Sequence, residues 1–423
     1  MAKSAKQAEV VRPAGPPRNW TAEERAKYFM ESRKKDKPDF QVLTSDYEEE
    51  LVPYGFLTFD YILGLKGMAR HGRVTQIHGN EGVGKSTLTY ELAKNYQRFT
   101  GEPLAVFDFE GTGTPAYLSK IGVNMDMVYF IQPSSIEDAI IETIKRLQEG
   151  CRFFVYDSIP HMESMVDVKE ILNRKAFKGN YGNHAKGMAR FYRLLHPHVI
   201  QNDGHMLMIN QTRDRIEDSR EAQNAQKYPT FTNLPYSLPG GRMCRFKPSV
   251  MVEMKMVGEV KPLTPGKDSK WDAFVIEPET DSNKGIPVVN RVRCRTLKNK
   301  VTGAGYREGY IWVRPGVGVD EGMSVLEYAR EYGLIANKGA KWYAGQSFDD
   351  AIATYANKEA AIQDLTVQRN PEVLGKLRQM VIDSIESDTS GRHLTSALSA
   401  EEAAFIDGEE VATVSKSFDI DED

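Results

Sequence analysis

The stretch Gly79–Thr87 reads GNEGVGKST, and it decides how the rest of the chain is interpreted. Gly79, Gly84, Lys85 and Ser86 occupy every fixed position of the phosphate-binding pattern G-x-x-x-x-G-K-S/T. An apolar run, RVTQIHG, precedes the stretch, and a helix-forming run, STLTYELAKNYQRF, follows it. Because the pattern stands between a strand and a helix, we expect a loop whose backbone wraps the phosphates of a nucleotide.

Each part of this loop has an expected role. The backbone N–H groups and the positive end of the following helix would face the phosphates. Lys85 would bridge the β- and γ-phosphates, and the Ser86 hydroxyl would hold Mg²⁺. The expected cofactors are therefore ATP and Mg²⁺. The residues expected to line the nucleotide here are Gly79, Asn80, Glu81, Gly82, Val83, Gly84, Lys85, Ser86 and Thr87.

The segments around the loop alternate between strand and helix patterns. LAVFDFEG, DMVYFIQPS, CRFFVYDS and HMLMINQ are typical of strands, while IEDAIIETIKRLQEG and KGMARFYRLLHPHVI are typical of helices. This alternation predicts an α/β fold with a mostly parallel sheet that is covered on both faces. After Met251 strands predominate, in VMVEMKMV, VNRVRCRTLKN and GYIWV. From Ser324 to about Ser387 the pattern is helical, with one aromatic turn, GAKWYAG.

Two acidic residues stand at predicted strand ends. Asp157 closes FFVYD, where a carboxylate that supports Mg²⁺ belongs. Glu110, in FDFEG, stands at the tip of another strand, where a carboxylate would activate an attacking water. The alternative for Glu110 is a solvated strand-end acid. His196 and His198 have no acidic or thiol partner nearby in sequence, which favours helix-end histidines over metal ligands.

Composition and charge limit the class of protein. Of the 423 residues, 40% are hydrophobic and 27% are charged, which is typical of a globular protein. The sequence shows neither an apolar run of the roughly 20 residues that a membrane helix needs nor an apolar signal-peptide core near its start, so we expect a cytoplasmic protein without membrane contact. Cys151, Cys244 and Cys294 lie far apart and form no CxxC pair, which predicts reduced thiols.

The two ends of the chain differ in charge from the centre. Residues 401–423 carry nine acidic residues against one lysine, so this tail either aids solubility or competes with an anionic ligand for basic surface elsewhere. Near the start, TAEERAKYFMESRKK begins with Thr21 and Glu24 at capping-box spacing, which predicts a short basic helix. Such a helix is marginal alone, so we expect it to dock on another copy of the chain.

The order of these motifs resembles the RecA family of homologous recombinases, from roughly Val52 to Ser387. YGFLTFDYILGLKGMARHGRVTQIHG is similar to the family's lead-in to its phosphate loop. FDFEGTGTPAYLSKIGV is similar to the segment that carries the catalytic glutamate and an adenine-stacking tyrosine. The resemblance thus implies that Glu110 activates water and that Tyr117 stacks on the base. MINQTR resembles the strand whose glutamine, here Gln211, senses the γ-phosphate.

The resemblance extends to contacts between subunits. PGGRMCRFK resembles the end of the second DNA-binding loop, which implies interface positions for Arg245 and Phe246. TLKNKV matches the stretch whose lysines, here Lys298 and Lys300, reach into the next subunit's nucleotide. Taken without the family, KNK is typical of a solvated basic turn. GAKWYAG resembles a motif of the family's C-terminal domain.

The resemblance implies a RecA-like P-loop ATPase core with a mostly parallel sheet, a short N-terminal helical oligomerisation segment and a small α+β C-terminal domain. We predict an N-terminal extension and interface helix over 1–50, the core over 51–320, the C-terminal domain over 321–400 and the acidic tail over 401–423. DNA contact is expected on two basic segments, 166–187 and 212–242. The alternative is that these are ordinary surface loops.

Basic residues in these segments would track phosphates, and aromatic residues would stack on bases. The expected DNA-contacting residues are Lys169, Arg174, Lys175, Lys178 and Lys186 in the first segment, and Arg213, Arg215, Arg220, Lys227, Phe231 and Arg242 in the second, where Tyr228 and Tyr236 are interleaved.

The function implied is that of a DNA-dependent ATPase that forms helical filaments on single-stranded DNA and exchanges strands with double-stranded DNA. Single-strand-binding and loader proteins are further expected partners. The second segment is longer and richer in proline and aromatic residues than is usual in bacterial members, which favours a bacteriophage-type member that works in its host's cytoplasm.

Two alternatives share some of these features. One is a RecA-like hexameric helicase, although the 50 residues before the core are short for its usual N-terminal domain, and such motors use an arginine finger and not a Lys-x-Lys pair. The other is an ATP-gated regulatory scaffold that binds proteins, against which the two basic segments argue.

Overall fold

The computed structural model describes residues 21, 24, 51–64, 67–69, 72–165, 182–214, 234–260, 289–303, 305–357, 360–361, 364–365 and 370–387. The chain divides into two units, 1–48 and 49–423. In the first unit, Glu24 N donates to Thr21 Oγ1 at 3.2 Å and Thr21 N donates to Glu24 Oε2 at 2.7 Å. These reciprocal bonds form the predicted capping box.

The second unit contains one large sheet and three smaller ones among the described residues, and we number all of their strands together in chain order. The strands are β1 (Leu51–Val52), β2 (Met68–Ala69), β3 (Arg73–Gly79), β4 (Leu104–Asp108), β5 (Val128–Ile131), β6 (Phe153–Asp157), β7 (His205–Gln211), β8 (Arg213–Asp214), β9 (Tyr236–Ser237), β10 (Val250–Val260), β11 (Val289–Asn299), β12 (Glu308–Arg314), β13 (Gly318–Val319), β14 (Ile335–Lys338), β15 (Lys341–Gly345) and β16 (Ala351–Tyr355).

Nine of the described strands form this sheet, in the order β13-β12-β11-β10-β3-β7-β6-β4-β5. From β10 to β5 neighbouring strands run parallel, and from β10 to β13 they run antiparallel. The predicted α/β fold with a mostly parallel sheet is therefore confirmed. Because the carboxyl ends of the parallel strands meet at one edge, the loops that follow β3, β4, β6 and β7 are brought together there.

Helices cover both faces of the sheet. They are α1 (Leu57–Ile62), α2 (Lys85–Thr100), α3 (Pro115–Ile121), α4 (Ile136–Gln148), α5 (Asn183–Gln201), α6 (Met243–Phe246), α7 (Glu321–Glu331) and α8 (Pro371–Ser387). Strand β6 shows the alternation that separates the two layers: Phe153 and Val155 pack with α2, whereas Phe154 and Tyr156 pack with α4 and α5. This period of two, with both faces apolar, is what a doubly covered strand requires.

Helix α4 shows how sequence signals set an element's ends. Ser135 caps its start by accepting a hydrogen bond from Asp138 N at 3.1 Å. Ile136, Ile140 and Leu147 are buried against the sheet, as their helical spacing predicts. Gly150, at φ +92°, follows the end of the helix in the left-handed region that glycine favours.

Three sequence expectations need correction. Strand β4 ends at Asp108, so Glu110 lies in the following turn. Helix α5 begins at Asn183, and Lys186 therefore lies in its first turn. GAKWYAG is not an isolated turn in a helical region, because β14, β15 and β16 form an antiparallel sheet between α7 and α8. Gly339, at φ +66°, turns the chain between β14 and β15.

The cysteines, the membrane prediction and the domain boundaries differ in what the structure says of them. Cys151, Cys244 and Cys294 are buried and unpaired, as predicted. Among the residues that the structure describes, no helix has the length and apolarity needed to cross a bilayer. The predicted domain boundaries stay predictions, and the acidic tail 401–423 lies outside the described residues.

Candidate nucleotide-binding site

The predicted phosphate loop leaves β3 at Gly79 and enters α2 at Lys85. A Cβ on Gly79 would lie 2.3 Å from the Met254 carbonyl oxygen on β10, so a larger residue does not fit there. Gly82 and Gly84 have φ values of +74° and +90°, which L-residues rarely adopt. The loop therefore has the backbone geometry that lets N–H groups face an anion at the start of a long helix.

Lys85 is held inside this loop. Its side chain is 7% exposed, and Nζ donates to the Asn80 carbonyl oxygen at 2.7 Å. Burial lowers the pKa of Lys85, and the nearby charges of Asp157, Glu110 and Glu81 oppose that shift. The ammonium group thus lies within electrostatic reach of three acidic residues, close to where a phosphate would bind.

Asp157 ends β6 beside the first turn of α2. Burial raises its pKa to about 6, while hydrogen bonds from the Ser86 and Tyr90 hydroxyls act in the opposite direction. Tyr90 Oη donates to Asp157 Oδ2 at 3.1 Å. Asp157 Oδ1 is buried and has no hydrogen-bond partner among the described residues. A hydroxyl and an unpartnered carboxylate oxygen are hard donors, so Ser86 and Asp157 fit the predicted Mg²⁺.

Glu110 is half-buried in the turn after β4, and Asp108 shapes that turn. Asp108 Oδ1 accepts a hydrogen bond from Gly111 N at 2.9 Å, and its Oδ2 accepts one from Gln132 Nε2 at 3.1 Å. Asp108 also pairs with Asp157 in the register of β4 and β6, so the turn lies at the same sheet edge as the phosphate loop. Asp108 and Tyr90 were not predicted as site residues, because their only signal in the sequence is their polarity within apolar runs.

Gln211 lies beside the phosphate loop, and its expected contact with the γ-phosphate stays a prediction. In the parallel register of β3 and β7 it is the partner of Gly79. Gln211 N donates to Asn210 Oδ1 at 2.9 Å, and Thr212 N donates to the Gly79 carbonyl oxygen at 3.3 Å. The Thr212 hydroxyl is also hydrogen-bonded to the Asn80 side chain. The end of β7 is therefore tied directly to the first two residues of the loop.

Tyr117 lies near the other end of the phosphate loop. Its hydroxyl is 2.7 Å from Thr87 Oγ1, and its ring meets the Tyr90 ring edge-on with centroids 6.1 Å apart. The N-cap of α3 is Thr114, whose hydroxyl accepts from Tyr117 N at 3.1 Å. These contacts hold a half-buried aromatic ring next to α2.

Lys298 and Lys300 are not brought to this site. Lys298 pairs with Met251 on β10, and Met251 pairs with Gln76, which is three residues before Gly79. Lys298 is 6% exposed, and Nζ donates to the carbonyl oxygens of Arg245 at 3.1 Å and Phe246 at 2.8 Å. Burial, assisted by the charge of Lys300, lowers the pKa of Lys298 to about 8.

Three of the expected DNA-contacting residues lie at the described ends of the two basic segments. Lys186, Arg213 and Arg242 are exposed. Phe246 is 53% exposed beside the half-buried Arg245. The other expected DNA-contacting residues, Lys169, Arg174, Lys175, Lys178, Arg215, Arg220, Lys227 and Phe231, lie outside the described residues, as does Tyr228.

Tyr236 departs from the expectation that it would be interleaved with DNA-contacting residues. Its hydroxyl is directed at the sheet, where it donates to Glu253 Oε1 at 2.7 Å and lies 2.9 Å from His78 Nε2. A tyrosine engaged in this way is part of the protein's packing and not a free stacking platform.

The fold and the site together define a P-loop nucleotide-binding protein with a mostly parallel sheet. The family model described as the RecA N-terminal domain matches residues 41–272, which is more than half of the chain. The chain belongs to the RecA family, which confirms the resemblance. That it is a bacteriophage-type member stays a prediction.

Two bacterial RecA proteins are similar in sequence over most of this chain. Protein RecA of Mycoplasma mobile is 24% identical over 364 residues, covering 85% of this chain and 96% of that protein. Protein RecA of Tropheryma whipplei is 27% identical over 300 residues, 70% of this chain, and the match spans 58% of the relative's length. A crystal structure of the RadB recombinase aligns with a TM-score of 0.41 and 15% identity, covering 64% of this chain and 98% of that one.

Proposed function

We propose that this protein is an ATP-dependent DNA strand-exchange recombinase that assembles into helical filaments on single-stranded DNA. The observation that carries the proposal is the contact between Thr212 and the phosphate loop, through Gly79 and Asn80. The second basic segment, 212–242, thus begins on the nucleotide site itself. Membership of the RecA family supports the same conclusion.

The nucleotide chemistry follows from the residues at the sheet edge. Lys85 would contact the β- and γ-phosphates, and Ser86 and Asp157 would hold Mg²⁺, which when bound neutralises charge on those phosphates. Glu110 would accept the proton of the attacking water, while Asp108 holds its turn in place. The reaction is hydrolysis of ATP to ADP and phosphate.

The placement of Lys298 and Lys300 supports a site shared between subunits. Strands β10 and β3 are parallel, and Lys298 aligns with a position on β3 that is about 10 Å before the phosphate loop at 3.3 Å per residue. These cations therefore lie toward the amino ends of the parallel strands, away from the edge that carries their own nucleotide site. In a head-to-tail stack they would face the nucleotide of the adjacent copy, and repeated stacking that does not close produces a helix.

Cations supplied by a neighbour make hydrolysis depend on assembly, because such a group can raise a phosphoryl-transfer rate by about 10³–10⁵. Nucleotide and DNA would then favour one another's binding, and that coupling is reciprocal in free energy. Contacts mainly to phosphates would give little sequence preference and a steep loss of DNA binding with salt.

The test combines ATP hydrolysis, imaging and strand transfer. We expect single-stranded DNA to stimulate hydrolysis, electron microscopy with a nonhydrolysable ATP analogue to show open helical filaments, and a homologous duplex to exchange a strand. Closed rings that unwind a forked duplex would instead identify a helicase. Hydrolysis and assembly that ignore DNA altogether would identify a regulatory scaffold.

A further inference from the structure

Three polar side chains form a row across the centre of the sheet, one residue before the strands reach the nucleotide site. His78 on β3 pairs with Glu253 on β10 and with Asn210 on β7. All three are buried. Because residues paired in register share a face of the sheet, the row presents three hydrogen-bonding groups to whatever packs over it.

The chain that returns from the second basic segment packs over this row. Tyr236 Oη donates to Glu253 Oε1 at 2.7 Å and is 2.9 Å from His78 Nε2. Asn210 Nδ2 donates to the Pro239 carbonyl oxygen at 3.1 Å. Every member of the row therefore bonds the stretch 236–239, and none of these contacts is explained by ATP binding or hydrolysis alone.

The hydrogen bonds fix the direction of the network. A phenol has one proton, and Tyr236 gives it to Glu253, so His78 must donate from Nε2. Burial lowers the pKa of His78 to about 4, which is consistent with a neutral ring protonated on Nε2. His78 Nδ1 then has no proton and, among the described residues, no partner.

The stretch around Tyr236 has two further sets of contacts, a hydrophobic cluster and a strand pairing. Leu234 and Leu238 flank Tyr236 at a spacing of two and are buried in a small cluster with Met251 and Leu297. On its other side, β9 pairs with β8, where Tyr236 is the partner of Asp214. Strand β8 follows Gln211 after a single residue. Tyr236 therefore links the strand of the phosphate loop through His78, β10 through Glu253 and, through its register with Asp214, the short strand that follows Gln211.

We propose that Tyr236 is a positioning residue through which the state of the nucleotide loop is transmitted to the second basic segment. The proposal deepens the proposed function and rests on it for its DNA arm. His78 immediately precedes Gly79, so a shift of the loop on binding ATP moves the histidine, and Tyr236 carries that movement to β9 and β8. In the reverse direction, ligand bound to the segment reaches Gln211 and the loop.

The variant Tyr236→Phe tests the hydroxyl alone, since the ring and its packing remain. We expect stimulation of ATP hydrolysis by single-stranded DNA to fall about tenfold, the size of one lost hydrogen bond to a charged group. Hydrolysis without DNA should stay within about twofold, and the KM for ATP should change less than the stimulated kcat. Leu238→Ala is the matched control, because it loosens the same packing but keeps the hydroxyl network.

A second measurement does not need DNA. Arg215, Arg220 and Lys227 are trypsin sites within the segment, and we expect an ATP analogue to change their rate of cleavage in the native protein and not in Tyr236→Phe. Glu253→Gln retains an acceptor for the tyrosine, so it should keep most of the analogue-dependent change in cleavage rate. Glu253→Ala has no such acceptor and should lose it.

The DNA-stimulation and trypsin measurements test the proposed function and the role of Tyr236 separately. If the native protein shows no stimulation by DNA, the proposed function fails, and the trypsin arm still decides the role of Tyr236. The inference is overturned if Tyr236→Phe keeps both full stimulation and the analogue-dependent change in cleavage. It is also overturned if Leu238→Ala and Tyr236→Phe lose the response in proportion to their loss of thermal stability.

Discussion

Gln211 is the register partner of Gly79, so the last residue of β7 lies beside the first residue of the phosphate loop. The next residue, Thr212, donates to the Gly79 carbonyl oxygen at 3.3 Å. A glutamine amide at this point can contact a terminal phosphate while the chain beyond it starts the second basic segment. The expected γ-phosphate contact and the start of the second basic segment thus lie at one strand end.

Replacement of Lys85 by alanine tests the nucleotide site. We expect Lys85→Ala to lose nucleotide-dependent DNA binding by about tenfold or more, because charge-assisted contacts to phosphate disappear. Fluorescence anisotropy of labelled single-stranded DNA, with and without an ATP analogue, measures the effect. Lys145→Ala, at a lysine that is 56% exposed on α4, is the control and should behave like the native protein. Normal filaments formed by Lys85→Ala with the analogue would contradict the site.

Replacement of Glu110 separates binding from chemistry. Glu110→Gln should bind ATP and DNA normally and hydrolyse ATP at least about 100-fold more slowly, as expected for a lost general base. Asp108→Asn keeps Glu110 but weakens the turn that carries it, so its turnover should be intermediate. Single-turnover hydrolysis with DNA bound distinguishes the two. Unchanged turnover in Glu110→Gln would place the base elsewhere.

Local patterns were enough to locate most strands and the phosphate loop. RVTQIHG and HMLMINQ coincide with β3 and β7, because each is a short apolar run with clear ends. VNRVRCRTLKN coincides with β11, where polar and less polar residues alternate over much of its length. GAKWYAG was harder, since Trp342 and Tyr343 are only half-buried and the alternation is short. Its strand character depends on pairing with β14 and β16, which local sequence does not reveal.

Prediction of the complete site would have required the register of the strands as well as local sequence patterns. Gln211 and Asp157 were predicted from a family resemblance and from strand ends, and the sheet does bring both to the loop. The role of Tyr236 was not predictable, because it depends on His78 and Glu253, which are 158 and 17 residues away along the chain. Side chains that meet only after three strands align leave no local signal.

A half-buried acid on α7, Glu321, predicts how stability varies with pH. Burial raises the pKa of Glu321 to about 7, against the opposing charge of Arg378 and a hydrogen bond from Leu57 N at 2.8 Å. The folded state therefore keeps a proton that the unfolded chain, with an ordinary pKa near 4.5, loses first. This group's contribution to stability is highest below about pH 4.5 and decreases as pH rises to 7.

Glu321→Gln removes this titration while keeping an oxygen for Leu57 N. We expect the variant to gain stability relative to the native protein between pH 4.5 and 7, by about 2 kcal/mol, since the side chain is 22% exposed and water reduces the full effect. Urea-denaturation midpoints across this range measure it. Glu331→Gln, an exposed position on the same helix, is the control. Parallel curves for Glu321→Gln and the native protein would disprove the assignment.

Mixing two inactive variants tests whether Lys298 and Lys300 act on a neighbour. Lys298→Ala/Lys300→Ala keeps its nucleotide site but supplies no cations, whereas Glu110→Gln supplies cations and binds ATP and DNA but lacks the base. Each alone should hydrolyse ATP poorly with DNA present. An equal mixture should recover about a quarter of native activity, because one junction in four then pairs an intact nucleotide site with intact lysines in a head-to-tail stack.

The control mixture pairs Lys298→Ala/Lys300→Ala with a variant that combines Glu110→Gln with the loss of both lysines, and it should stay inactive. Lys300→Ala alone is informative because Lys300 is exposed, whereas Lys298 also holds the carbonyl oxygens at the end of α6. If Lys300→Ala reduces stimulated hydrolysis without changing thermal stability, the loss is chemical and not structural. A mixture no more active than the sum of its parts at every ratio would mean that each nucleotide is served by its own chain.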